Sequence, residues 1–417
     1  MDKDTTKTTF YQYLAPINFE NLAEILLSLD KYVKKLTTEK LIMILIYGQL
    51  FSKTSLTELS TEVKNDEELQ KILKLQSIST SQLSRKLRDT PDEVLQSIFK
   101  DLKIRILAKS GVNHARKAFK YLNIIDSSTV SMAVSQYPWA EFRNTKAGIK
   151  IHTRIVFDNE NDWVTPDKIV ITPAKGADKT KMDDLVVTTA KDALHVFDRA
   201  YVDYEKFDEY CENDTIFLSR LKSNAKIEII SIETKIIDGK EVTDSIVRLG
   251  ENTTRMTNTL RLLEIPDDKE PGKIIRIITN DFNRSTQELS NFYRNRWQIE
   301  LFFKWIKQNL HVKKFYGTSQ NAVKNQILSA MVTYLLLCLF KKEVNSHWSL
   351  LDTLRLISIC RYQSLEKFIE KLKRPPTRTS KGRRKINHEE IFNLTYRQVM
   401  SGDTALLYSN KIDPVVL

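Results

Sequence analysis

The sequence predicts an α/β protein whose strands are framed by helices on both sides, and three observations predict it. Apolar residues recur at helical spacing up to about residue 115. Short apolar runs separated by turn clusters follow, and two of them lead straight into an aspartate. A strand-dense stretch over 223–278, punctuated by Gly and Pro, then gives way to helical periodicity up to Lys373. At roughly 100–200 residues per domain, the 417 residues hold two or three domains. The segments read as a helical, DNA-binding front (1–115), a core in two parts (116–222 and 279–372), a β-rich insertion (223–278) and a basic C-terminal segment (373–417).

In the front, Phe19, Leu22, Ile25 and Leu26 share a helical period, residues 41–51 are strongly apolar, and Leu56, Leu59 and Val63 repeat the pattern. Residues 79–88 open on Ser79 and Thr80, both N-cap types, and continue as a basic helix that Pro91 ends. Its Arg85 and Arg88 are candidates for DNA contact; an ordinary surface helix is the alternative. Strands are expected over 121–125, stopped by Asp126-Ser127-Ser128-Thr129, and over 149–157, 168–172, 193–197 and 215–221, with a helix over 181–190. The insertion reads as strands over 227–232, 235–237, 245–249, 259–265 and 274–279. Residues 371–385 crowd eight Lys and Arg around Pro375-Pro376, a flexible segment suited to tracking phosphates.

Composition narrows the function. Lys and Arg total 65 against 53 Asp and Glu, a net charge of +12. In a folded chain this suggests a polyanionic partner, most simply nucleic acid, with a merely solvated basic surface as the alternative. Ten Pro and ten Gly exclude a collagen-like or linker-dominated chain. Cys211, Cys338 and Cys360 form no CxxC pair, which argues against a disulfide framework and fits a reducing cytosol. Residues 1–10 lack a signal-peptide core, and the apolar run 327–340 falls short of the roughly 20 residues that span a bilayer. A cytoplasmic protein without a membrane partner is expected. Scattered histidines argue against zinc, and the lack of a Gly-rich phosphate loop argues against a nucleotide cofactor.

The chemistry concentrates in residues 293–307. At roughly 100° per residue, Tyr293, Arg296, Glu300 and Lys307 fall within an arc of about 60° on one helix face, beside an apolar face of Ile299, Phe302, Phe303 and Ile306. Salt bridges on an amphipathic helix would account for this face equally well. Asp126 and Asp198, each after an apolar strand, add two carboxylates at a sheet rim, although a strand-end Asp is often only a turn residue. Together with Glu300 they make a plausible oxygen cage for a hard cation such as Mg²⁺ or Mn²⁺.

The spacing Tyr293-x2-Arg296-x3-Glu300-x6-Lys307 resembles, position for position, the signature of insertion-sequence family 4 transposases. Ile125-Asp126-Ser127-Ser128-Thr129 is similar to that family's first-Asp segment, and Asp198-Arg199-Ala200-Tyr201-Val202-Asp203 to its second. The likeness covers about residues 116–345. It implies an RNase H-like catalytic domain interrupted by a β-rich insertion, with Asp126, Asp198 and Glu300 as a DDE triad. The triad would bind two Mg²⁺ ions, with Mn²⁺ able to substitute. Tyr293, Arg296 and Lys307 would grip phosphates near the cleaved end. Also implied are double-stranded DNA as partner, both terminal inverted repeats and target, a homodimer in the DNA complex, and cleavage followed by strand transfer. Relatives that cut through a hairpin can use a tryptophan in the insertion, and none of the five tryptophans here lies in 223–278. The alternatives are an RNase H-like nuclease that does not join strands and an inactive, domesticated DNA-binding regulator.

Overall fold

The computed structural model describes residues 7–109, 121–158, 163–188, 193–237, 239–267, 272–346 and 348–374. Its strands are β1 (Tyr121–Met132), β2 (Glu141–Arg143), β3 (Lys146–Asp158), β4 (Trp163–Pro173), β5 (Leu194–Phe197), β6 (Phe217–Arg220), β7 (Ile227–Ile237), β8 (Lys240–Leu249), β9 (Leu260–Pro266) and β10 (Ile274–Thr279). They join one mixed sheet in the order β2-β3-β1-β5-β6-β10-β9-β8-β7, with β4 also paired to β3. The stretch β4-β3-β1 is antiparallel, while β5 and β6 continue parallel to β1. This mixed arrangement is consistent with an RNase H-like transposase fold. The strands expected in the insertion form, with those over 227–232 and 235–237 continuous as β7, but they extend this sheet rather than build one of their own: β10 pairs with both β6 and β9.

Among the described residues seven α-helices precede the sheet: α1 (Thr9–Leu14), α2 (Ala23–Asp30), α3 (Thr38–Leu50), α4 (Leu56–Asn65), α5 (Glu67–Leu73), α6 (Thr80–Asp89) and α7 (Glu93–Lys109). Thr8, Thr37, Ser55, Asp66 and Ser79 each accept a backbone N–H three residues on, capping donors that would otherwise lack a partner. Helices α8 (Met182–Leu185) and α9 (Tyr204–Glu212) lie between strands, and α10 (Thr286–Arg294), α11 (Trp297–Asn309), α12 (Gln320–Glu343), α13 (Leu350–Cys360) and α14 (Leu365–Lys373) follow them. Of the helix expected over 181–190, the described residues form a single turn, and 189–190 lie outside them. Past it the backbone at Val186 is extended, and the Val187 N–H donates to His195 Nε2 (3.1 Å) instead of continuing the helix.

Contacts divide the chain into Met1–Leu372 and Lys373–Leu417. The boundary expected near residue 115 does not separate the packing, because one core holds Phe10, Ile46, Leu83 and Leu102 of the front together with Leu122, Ile151 and Val196 of the sheet. Helix α12 joins them, since it packs on α3, α6, α7 and β4. It is long and apolar enough to cross a membrane, yet 94% of its apolar window is buried within the protein. Two of its buried amides donate inside: Asn325 to Thr90 O (2.7 Å) and Gln326 to Lys314 O (2.7 Å). Asp167 on β4 pairs with Arg154 of β3 and Lys103 of α7, a further tie between front and sheet. The basic segment expected over 371–385 lies outside the described residues beyond Arg374.

A buried network anchors the outer strands to the signature region. Arg261 on β9 makes a bidentate pair with Asp244 on β8 (2.9 and 2.7 Å) and donates to Arg284 O (2.6 Å), while the Thr286 hydroxyl donates to Asp244 (2.8 Å) at the start of α10. Burial pushes the Asp244 carboxyl up, but the Arg261 and Thr286 hydrogen bonds and the Arg261 charge outweigh it and hold it at about 2. Its contribution to stability is thus present above the ordinary carboxylate pKa and lost as pH falls toward 2. Asp244→Asn should lower stability by about 3–5 kcal/mol and flatten the acid limb between pH 4 and 2, as measured by urea unfolding across that range.

Candidate active site

The parallel pairing of β1 and β5 ends at Ile125↔Phe197, so the next residue on each strand is an aspartate: Asp126 and Asp198 emerge side by side. Asp198 lies, as expected, just past a fully buried strand, where its carboxylate accepts the Arg199 N–H (2.7 Å). Asp126 does not end its strand. β1 stays paired to β3 through Met132↔Ala147, with Asp126 opposite Thr153, because tertiary pairing overrides the turn preference of Asp-Ser-Ser-Thr. What stops at Asp126 is only the parallel neighbour, and that opens the sheet there. Phe197, Tyr201, Phe207 and Phe217 pack as one aromatic group behind this rim, Phe207 and Phe217 stacked at 4.3 Å.

Glu300 arrives from α11, which packs on β1. The single helix expected over 293–307 is two helices meeting at Asn295-Arg296, where i→i−3 bonds from Arg296, Gln298 and Ile299 tighten the turn. Tyr293 therefore ends α10, Arg296 occupies the junction, and Glu300 and Lys307 lie on α11. Arg296 binds the elements together: one guanidinium nitrogen approaches Asp126 Oδ2 (3.4 Å) and another donates to Glu300 Oε1 (2.5 Å). Lys307 Nζ donates to Thr129 O (3.2 Å), three residues beyond Asp126 on the same strand.

The electrostatics follow from this convergence. Burial, together with the charges of Asp198 and Glu300, raises the Asp126 carboxyl to about 6, against the lowering effect of the Ser127 N–H and Arg296. Burial chiefly, with Asp198 adding to it, raises the Tyr293 phenol to about 12, with Arg296 opposing. Burial and the neighbouring Lys313 lower the Lys307 ammonium. Three carboxylates thus share one rim with a phenol and two cations. Among the described residues no three His, Cys, Asp or Glu side chains are gathered as a closed metal cage, and Arg296 reaches both Asp126 and Glu300.

Arg85 and Arg88 sit elsewhere, on the exposed face of α6, whose Leu83 and Leu87 are buried; Arg88 pairs with Asp89 (2.7 Å). Trp305 packs on Tyr334 of α12, whereas Trp297 is exposed. His195 is fully buried and pushed down to about 4, so it is neutral and structural. The residue that sequence reasoning overlooked is Asp178. It accepts the Ser127 hydroxyl (2.8 Å), pairs with Lys150 (3.1 Å) and faces His152 (3.6 Å), buttressing the strand position next to Asp126. A lone Asp in the loop Lys175-Gly176-Ala177-Asp178 carries no pattern that marks such a role.

Sheet and rim together are consistent with an RNase H-like transposase catalytic domain. Residues 117–336 match the family described as Transposase DDE domain, and the chain belongs to that family of DDE transposases. It is 30% identical over 66% of its length to a Geobacillus stearothermophilus protein named as the transposase for insertion sequence element IS5377, covering 72% of that protein. Over 63% of the chain it is 29% identical to a Sinorhizobium fredii protein named as a transposase, again covering 72% of it. A Synechocystis protein named as the transposase for insertion sequence element IS4SA is 26% identical over 67% of the chain and 76% of its own length.

Without metal, Arg296→Met should move the Asp126 titration upward from about 6, since it removes the guanidinium charge that opposes burial there. Carboxyl ¹³C shifts followed against pH read this directly; an unchanged midpoint would show that Arg296 does not hold that carboxylate.

Proposed function

We propose that this transposase binds the terminal inverted repeats of an insertion sequence, cuts at their ends and joins the freed ends to target DNA. The observation that carries the reading is the emergence of Asp126 and Asp198 from adjacent parallel strands, with Glu300 tied to them through Arg296. DDE transposase domains generally use divalent metal ions. The residues here suit one: the donor set is all oxygen, as hard cations require, and carboxylates close enough to raise Asp126 would be relieved by a cation among them. Asp126, Asp198 and Glu300 would hold two Mg²⁺ ions, with Mn²⁺ as a substitute. Bound there, such ions supply acidity to an attacking water or hydroxyl and neutralise charge building on the phosphoryl group.

The chain's own residues do the positioning. Tyr293, Arg296 and Lys307 form a donor-rich strip along α10 and α11 that would take the phosphates on either side of the cut. Arg296 would exchange its carboxylate partners for phosphate oxygens as DNA enters. In the first step water attacks the phosphodiester and a 3′-hydroxyl leaves. In the second that hydroxyl attacks a target phosphodiester, forming one P–O bond as another breaks. Arg85 and Arg88 on α6 would add contacts to the repeat farther from the cut, and two copies would hold the two ends.

Asp126→Ala, Asp198→Ala and Glu300→Ala should each abolish Mg²⁺-dependent nicking of a repeat-end duplex while changing its binding by no more than a few-fold. Nicking at the normal rate by any of the three would remove it from the triad. Products that join donor to target, resolved on a sequencing gel, distinguish transposition from simple nuclease action. In addition, Mn²⁺ affinity measured by calorimetry should fall as pH drops through about 6, because Asp126 must give up its proton to bind.

A further inference from the structure

Strand β7 ends the ten-stranded sheet, and among the described residues it pairs with β8 alone. Such an edge normally hides or guards its free N–H and C=O groups with Pro, with charge or with a bulge that turns it away. Here a bulge lies near Ile230, and the strand beyond it continues to Ile237 with one charge of each sign, Glu233 and Lys235. Six of its eleven residues are isoleucine and none is Pro or Gly. Ile229, Ile232 and Ile236 are 58%, 62% and 81% exposed, which no folding requirement of a single copy explains.

We propose that β7 is a self-association surface, pairing antiparallel with β7 of a second copy about a two-fold axis through Thr234. The sequence selects this register. With Thr234 opposite itself, Ile232 faces Ile236 of the second copy and Glu233 faces Lys235, and the symmetry makes each pair twice. Moving the axis one residue either way sets Glu233 against Glu233 or Lys235 against Lys235, so the neighbouring symmetric registers are repulsive. Within one copy Lys235 already meets Glu233 (2.9 Å) and Asp244 (3.2 Å), so pairing extends an existing ladder of charge. Strand addition joins the two sheets through backbone hydrogen bonds while setting exposed Ile232 against exposed Ile236 of the second copy.

The inference stands apart from the transposition reading, since it is tested without DNA. Sedimentation velocity of the full chain at micromolar concentration should give a concentration-dependent dimer. Glu233→Lys alone or Lys235→Glu alone places like charges opposite each other twice and should weaken association about tenfold or more. An equimolar mixture of the two variants places opposite charges in both pairs and should recover the dimer, a result that also shows both variants to be folded. Ile236→Ser, at a position too exposed to matter for folding, should likewise weaken the dimer. A wild-type chain that stays monomeric, single variants that dimerise normally, or a mixture that fails to recover would each overturn the proposal. So would a monomeric chain whose Ile236→Ser variant loses DNA binding, which would make DNA the occupant of this edge.

Discussion

The site depends on one short piece of parallel pairing. β5 is only four residues long and wholly buried, and its last residue, Phe197, lies opposite Ile125. Because both strands point the same way and leave the shared ladder together, two residues separated by 72 positions in sequence become neighbours. The apolar runs before them are what place two acidic groups at one rim. Without buried strands to hold them, carboxylates this close would move apart to regain water.

Arg296 is the counterweight. A guanidinium that reaches Asp126 and Glu300 keeps mutual repulsion from expelling the helix that carries Glu300. Its position at the junction of α10 and α11 matters, since the tightened turn lets one side chain face the sheet while Tyr293 stays half-buried beside it. In the proposed function the same cation would take a DNA phosphate, so stabilising the DNA-free site and recognising DNA would draw on one residue.

Farther out, α12 turns separate segments into one body. Apolar on nearly every face, it must be covered all round, and the front helices and the sheet are what cover it. The outer strands are tied in differently, by the Asp244–Arg261–Thr286 network, which connects the sheet extension to the start of α10. Geometry at the rim is therefore held from two directions, one apolar and one polar.

The sequence alone marked most of the elements and the residues that gather at the rim. Helical periodicity marked the front, alternation marked the strands, and four residue types at three fixed spacings marked Tyr293, Arg296, Glu300 and Lys307. These properties are local, set by neighbours along the chain. The tertiary structure decided what depends on distant pairing. It carried β1 past Asp126 to Met132, because β3 supplied a partner for every residue that local preference assigned to a turn. It broke the signature helix in two, merged the expected insertion into the main sheet and the helical front into the main core, and brought Asp178 to Ser127. Hydrogen-bond partners across a sheet and the surfaces that bury a helix are not encoded by any nearby spacing, and for that reason only the folded chain reveals them.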